Sequence, residues 1–381
     1  MFGPMSTPDR STTRRVIDEA RTICAVPAPT FAEGPRGDLV AELLTAAGVV
    51  PRRDGAGNVI ARLGAGAGAG AGAGVGTGVG EPGDAVVLAA HLDTVFAAGT
   101  EIAFTEADGR LAAPGIGDNS LGVAAIVHLA RRLQGRALRR PVVLAATVGE
   151  EGLGDLRGAK ALVQHVPCGA FVAVEGMMLD GLTVAAVGSV RFRLTVRGPG
   201  GHPWGDRENP SAIHGILGPL QAIVTPLTAA GLVANVGVLA GGTVINAIAG
   251  SVTAELDVRS EDDESLRRVA DTVRAAFSGL EPGLTVDIET VGHRPGGRLH
   301  PEHELLAAAR AARRRAGLPP APETASSTDA NAAHGRGIPA ITVGVSTGAH
   351  AHRLDEYIDL DPVPTGLASL EALVDELAAA R

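Results

Sequence analysis

AVVLAAHLDTV (85–95) begins as an unbroken apolar run and ends on His91 and Asp93. Two later stretches repeat that form: PVVLAATVGEE (141–151), ending on Glu150 and Glu151, and GAFVAVEG (169–176), ending on Glu175. Helical segments separate them. In one, NSLGVAAIVHLARRLQ (119–134), apolar side chains recur at helical spacing, and Asp118 and Asn119 stand where they would cap its start. Strands that are apolar throughout and alternate with helices belong to a mixed, mostly parallel sheet flanked by helices, so the fold class is α/β. In open sheets of this kind, sites gather at the carboxyl ends of the strands.

Upstream, residues 12–25 and 35–47 have helical apolar spacing, and NVIARLG (58–64) reads as a strand. The run GAGAGAGAGAGVGTGVG (64–80) is low in complexity and reads as a mobile hairpin tip; with no helix after it, its match to a nucleotide-binding glycine pattern has no structural context. From about residue 187 the texture changes. SVRFRLTVRG alternates apolar and polar residues, and a helix (210–229), VANVGVLAG, SVTAELDVRS, a helix (263–278) and LTVDIETV follow. That β-α-β-β-α-β order is ferredoxin-like and fits an insertion. The expected organisation is a catalytic domain in two parts, 1–186 and 297–381, interrupted by a second domain at 187–296. The second part contributes a helix at 303–316, the strand PAITVGVS and a closing helix at 365–380.

The 381 residues carry 33 Lys+Arg against 42 Asp+Glu, a net charge of -9, and only 2% aromatics. This argues against nucleic acid as a partner, by charge and by the lack of stacking platforms. Lys160 is the only lysine and no GxxxxGK[ST] loop precedes it, which excludes nucleoside triphosphate chemistry of that type. No strongly apolar stretch long enough to span a bilayer is seen, and the N-terminal residues lack the apolar core of a signal peptide, so no membrane partner and a cytoplasmic location are expected. Cys24 and Cys168 are too few for a disulfide framework and read as small buried hydrophobes.

The strand ends thus collect His91, Asp93, Glu150, Glu151 and Glu175, with Asp118 at a nearby loop-to-helix junction. Five carboxylates and a histidine packed together would repel and shift one another's pKa values unless a cation joined them, so a bound metal is the economical reading. His91 offers an imidazole. Asp93, two residues on and on the same strand face, can accept a hydrogen bond from the other ring nitrogen and fix the tautomer. If the strand continues through Glu150 and Glu151, they point to opposite sides, so that one ligates while the other handles a proton. Asp118, in the glycine-bounded turn APGIGDNS, can bridge two ions, and GAHAHRLDEYI supplies a further histidine, His350 or His352. Nitrogen and oxygen donors without thiolate favour zinc, with cobalt or manganese as alternatives.

Taken in order, HLDTV (91–95), GIGDNS (115–120), GEEGLGD (149–155), AVEGM (173–177), GPGGHPWGDRENPSAI (198–213), GGTVINAIAG (241–250), DVRS (257–260), SSTDAN (326–331) and AHRLDEYI (351–358) resemble a known family. It is that of the two-zinc peptidases and deacylases, which includes carboxypeptidase G, tripeptidase T, acetylornithine deacetylase, succinyl-diaminopimelate desuccinylase and aminoacylase. The resemblance implies two Zn2+, one held by His91 and Glu175, the other by Glu151 and His352, with Asp118 bridging. His352 is preferred to His350 because the family histidine stands four residues before the glutamate of the EY pair, here Glu356.

The same resemblance makes Glu150 the general base and Asp93 the acid that orients the site. It implies a homodimer formed through the inserted domain, a lid and dimerisation element, with His202 reaching across to polarise the scissile carbonyl. Asn246 and Arg259 would hold the substrate's carbonyl and carboxylate; by itself Arg259 reads equally as a carboxylate clamp or a surface ion pair. The implied reaction is metal-assisted hydrolysis of an amide in a small peptide, of the di- or tripeptide exopeptidase type. The alternative substrate is an N-acyl amino acid, since Glu at 175 resembles the deacylase relatives while the segment around His202 resembles the peptidases.

The residues disfavour two rival readings. GVSTG (344–348) matches GxSxG around Ser346, but no helix is expected after it and no histidine follows Asp355, so a serine hydrolase fails on context. A non-catalytic descendant would be expected to lack the base or a ligand, and every one is present. His300 and His303, in LHPEHE (299–304), read as solvated side chains at a helix start.

Overall fold

A computed structural model describes residues 6–64 and 84–379. The chain divides into two compact units, Met1–Ala186 with Arg298–Arg381, and Val187–Gly297. The sequence reading of 64–80 as a hairpin tip concerns residues that, after Gly64, lie outside the described ones.

The first unit is built on a mixed sheet. Its spatial order runs Arg52–Arg53, Val59–Leu63, Val142–Thr147, Ala85–His91, Cys168–Glu175, Ala340–Gly344, Leu182–Ala186. Ala85–His91 pairs in parallel with Val142–Thr147 on one side and Cys168–Glu175 on the other, and Ala340–Gly344 continues the parallel set; Val59–Leu63 is antiparallel to Val142–Thr147. The central strands are buried on both faces. Val86, Leu88 and Ala90 join a core with the helices Arg10–Cys24, Leu121–Leu133 and Val363–Ala378, whereas Val87 and Ala89 join a second core with Arg157–His165. Side chains alternate across a strand, so an apolar run is what a sheet covered on both sides requires. Register brings His91 opposite Thr147 and Gly344 opposite Glu175, so these strands end together.

Three local expectations are corrected. The strand carrying His91 ends at that residue, and the next ends at Thr147, so Asp93, Glu150 and Glu151 stand on loops rather than on strand faces. For Glu150 and Glu151 a turn keeps the pleat from resuming: Gly149 takes φ +65. Nor do Asp118 and Asn119 cap the helix, which starts at Leu121 after an irregular turn, Ile116–Ser120. Both side chains are taken up elsewhere.

The second unit has four antiparallel strands in the order Val233–Gly241, Ser251–Ser260, Gly188–Arg197, Thr285–Arg294. Along Gly188–Arg197, Val190, Phe192, Leu194 and Val196 are buried under the helices Ala212–Ala229 and Asp263–Ala276, while Arg193 on the other face pairs with Glu255 and Glu289. Asp262 caps the second helix by accepting the N–H groups of Glu264 and Ser265. Among the described residues, Ala212–Ala229 is the one helix long and apolar enough by length and composition to cross a membrane, with a mean hydropathy of 1.2. One face of it, Ala212, Ile216, Leu220, Ile223 and Leu227, lies in this unit's core.

Leu88 is fully buried at the centre of the parallel set. Leu88→Ala is expected to destabilise the protein by about 2–5 kcal/mol, read as a fall in the urea unfolding midpoint.

Candidate metal centre

The converging strand ends deliver His91 and Glu175. His91 Nδ1 lies 3.0 Å from the main-chain oxygen of Asp93. A carbonyl only accepts, so Nδ1 carries the proton and Nε2 is the nitrogen turned to the site. It lies 2.9 Å from Asp118 Oδ1 and 3.7 Å from Glu175 Oε2. The expectation for Asp93 therefore needs correcting, because its carboxylate stands 3.7 Å from the ring and is engaged elsewhere. Asp93 Oδ1 accepts the N–H of Glu150, and Oδ2 accepts the N–H of Glu151 and the hydroxyl of Thr30, each at 2.9 Å.

Asp118 is shared. Its other oxygen lies 3.1 Å from His352 Nε2, which is also 3.0 Å from Glu151 Oε1. Two groups result, His91–Asp118–Glu175 and Asp118–Glu151–His352, in each of which the donor atoms lie within 4.8 Å of one another. Glu150 is buried beside Glu151 and belongs to neither. His350 turns away, pairing with Asp355 at 2.9 Å and meeting the edge of Tyr357.

Charge shapes these groups. Burial pushes the Glu175 carboxyl up to about 7, helped by the charges of Asp118 and Asp329 and opposed by His91. Burial also works against a charged His91, but the hydrogen bonds and charges of Asp118 and Glu175 outweigh it and hold its pKa well above the ordinary value. Hydrogen bonds to Asp118 and Glu151 raise His352 to about 10. For Asp118 burial is likewise outweighed, and its two imidazole partners hold it below the usual carboxylate range. Without metal, two imidazolium rings offset much of the charge of the three acids; with it, each imidazole must give up its proton to ligate. The donors suit a pair of divalent cations, since three carboxylates and two imidazoles form two sets around one shared oxygen pair.

Several residues whose part here no sequence pattern marks hold this arrangement. Asn119 donates to Val174 O at 2.8 Å and accepts from Gly176 N–H at 2.9 Å, gripping the backbone on both sides of Glu175. Glu356, fully buried, accepts the N–H groups of Gly117 and Asp118 at 2.7 and 2.8 Å. In the sequence it served only to set the register of His352. Arg36, also buried, donates to Leu92 O between His91 and Asp93, and to Val26 O and Cys24 O. Each is a single polar residue, and only its surroundings distinguish it.

The remaining candidates lie in the second unit. His202 Nδ1 accepts the N–H groups of Trp204 and Gly205, so a neutral ring carries its proton on Nε2 and is a donor to what it faces. Gly201 bridges Ile248, so the loops bearing His202 and Asn246 run side by side. Arg259 pairs with Asp257 on its own strand at 2.9 Å. Its cross-strand neighbour is Ser189, while the loop of His202 leaves the opposite end of that strand after Arg197, opposite Ser251. From residue 251 to residue 259 the strand covers about 26 Å. Within this unit His202 and Asn246 are therefore not brought together with Arg259.

The geometry agrees with rejecting the serine hydrolase pattern: Ser346 is buried and donates to Asp359 O at 2.5 Å, with no helix directly after it. His303 is not merely solvated, since its Nδ1 caps the helix Glu304–Arg315.

A profile of the peptidase family M20/M25/M40 matches residues 87–376. The chain belongs to this family. It is accordingly a metal-dependent hydrolase acting on carbon–nitrogen bonds. A succinyl-diaminopimelate desuccinylase of Gluconacetobacter diazotrophicus is 29% identical over 295 residues, covering 71% of this chain and 72% of that protein. The crystal structure of aminopeptidase PepT from Bacillus cereus shares the fold, with a TM-score of 0.72 at 22% identity over 96% of this chain and 98% of that one. So does a dinuclear metal-binding M20 peptidase of Bacillus subtilis, with a TM-score of 0.61 at 16% identity over 96% and 98%.

Because His352 is raised to about 10 and His91 well above its ordinary value, metal loading near neutral pH should release protons. Calorimetry in buffers of different ionisation enthalpy measures this, and no net release would contradict the ligand set. The sign for stability runs the other way. Each raised imidazole stabilises the metal-free protein fully below about pH 6.5, and the His352 contribution fades as pH rises through about 10.

Proposed function

We propose that the protein hydrolyses an amide bond of a small peptide, of the di- or tripeptide exopeptidase type, using two zinc ions with cobalt or manganese as substitutes. The observation that carries this is the pair of donor groups sharing Asp118, with Glu150 buried beside Glu151 yet outside both. His91 and Glu175 hold one ion, Glu151 and His352 the other, and Asp118 both. When bound, such a pair polarises a carbonyl and acidifies water.

The chain's own residues do the rest. Glu150 takes the proton of the attacking water as its oxygen bonds to the scissile carbon, then returns that proton to the leaving amine as the carbon–nitrogen bond breaks. The tautomer of His202 set by Trp204 and Gly205 fits a donor to the oxyanion, with Asn246 on the neighbouring loop. Arg259 is the candidate clamp for a substrate carboxylate, a task in which Asp257 competes for its guanidinium.

A homodimer accommodates the separation of His202 from Arg259, since one copy would supply the histidine to a site completed by the other. Two features of the second unit favour it. Val233–Gly241 is an edge strand with exposed Val233, Val238 and Leu239, and Ala212–Ala229 contains no Asp, Glu, Lys or Arg and exposes Leu217.

The second reading is an N-acyl-amino-acid deacylase, favoured by Glu175 and by likeness to a desuccinylase. A panel of di- and tripeptides beside N-acetyl and N-succinyl amino acids, run with zinc and with a chelator, separates the two. Chelator-sensitive cleavage of peptides supports the first reading, cleavage of the acylated set alone the second, and cleavage of neither overturns both. Glu150→Gln is expected to lower kcat by about 10²–10⁴-fold with metal content unchanged, whereas His91→Ala and Asp118→Ala lose metal. Mixing His202→Ala chains with Glu150→Ala chains should restore part of the activity; two inactive variants that stay inactive when mixed would remove the role across the dimer.

A further inference from the structure

The loops of His91 and of Glu150–Glu151 meet a third piece of chain that the family profile, which starts at residue 87, does not include: Cys24–Arg36. It runs beside 91–95. Thr94 N–H donates to Ala28 O at 2.9 Å, Pro29 bridges Thr94 in parallel, and Arg36 gathers the main-chain oxygens of Cys24, Val26 and Leu92. Arg36 and Asp93 also attract one another through space. The same piece holds the second loop. Glu33, buried, pairs with Arg157 through both carboxylate oxygens at 2.7 and 2.8 Å, and Arg157 N–H donates to Gly149 O.

Thr30 touches both loops. Its hydroxyl donates to Asp93 Oδ2 at 2.9 Å, and its methyl lies so close to Gly154 that a Cβ there would come within 2.6 Å of it. Asp93, fully buried, has its other contacts with the N–H groups of Glu150 and Glu151, one per oxygen. Those amides fix the backbone from which one side chain turns into a donor group and the next does not. A carboxylate free to rotate about its Cβ–Cγ bond would let both amides drift, and the hydroxyl of Thr30 is the side-chain donor that pins it.

We propose that Thr30 is a positioning residue: through the carboxylate of Asp93 it sets the main-chain amides of Glu150 and Glu151, and so the geometry of the base and of the Asp118–Glu151–His352 group. The proposal rests on the roles given to Glu150 and Glu151 above. Thr30 hydrogen-bonds none of the metal donors, and the His91–Asp118–Glu175 group, whose acids stand on other elements, should not depend on it.

The test uses the full-length protein stripped of metal and titrated with Co2+ or Zn2+ in a calorimeter, comparing wild type, Thr30→Val, Thr30→Ser and Glu151→Ala. Glu151→Ala identifies the step that belongs to the second group. Thr30→Val keeps the methyl against Gly154 and removes only the hydroxyl; it should weaken that step about 10–100-fold while the other step is unchanged. Thr30→Ser restores the hydroxyl and should recover most of the loss. On any substrate that is turned over, Thr30→Val lowers kcat with KM unchanged. Equal weakening of both steps, no weakening of either, or a serine variant no better than valine overturns the proposal. So does a loss that follows a drop in the urea midpoint in both variants. Because metal titration needs no turnover, failure of every substrate in the panel would sink the peptidase and deacylase readings while leaving this one to be decided by its own measurement.

Discussion

Asp118 stands between two imidazoles, one oxygen on His91 and the other on His352, and everything else at the centre is arranged around that sharing. A carboxylate used twice draws two donor groups together, and it sets a second acid beside Asp118 in each, Glu175 in one and Glu151 in the other, so that their charges need compensation. Metal cations, or protons on the two histidines in their absence, meet that need. The strongly shifted groups of the centre, Asp118, Glu175, His91 and His352, are the ones on which this balance falls.

The fold answers the constraint with parallel strands that end together and with buried polar side chains that fix backbone rather than ligate. Asn119 grips the peptides flanking Glu175, Glu356 grips those of Gly117 and Asp118, and Asp93 grips those of Glu150 and Glu151. In each case a short polar side chain satisfies main-chain groups where the strand or helix has stopped providing partners. A buried peptide group left unpaired is costly, so these side chains lower the energy of the loops and define their shape at once.

Much of this was legible in the residues. The apolar runs at 85–95, 141–151 and 169–176 gave three parallel strands because a strand buried on both faces needs apolar side chains on both. Their polar endings pointed to His91, Asp118, Glu151, Glu175 and the choice between His350 and His352, since acids crowded at one sheet edge demand a cation. A local rule fails where its element has ended. Asn119 stands where a helix cap would, but its partners lie 55 and 57 residues on. Asp93 and Glu150 lie beyond strands that stop at His91 and Thr147, so no strand face orients them.

The sequence by itself determined the elements, the residue types of the metal centre and the family, because periodicity and ordered motifs are properties of short stretches. Only the tertiary structure decided which hydrogen bonds those residues make. Thr30 meets Asp93 across 63 positions and Glu356 meets Asp118 across 238, and no local pattern marks either one. The physical reason is that a polar side chain's role is set by the donors and acceptors that packing brings to it. Packing depends on the whole sheet rather than on neighbours in the chain.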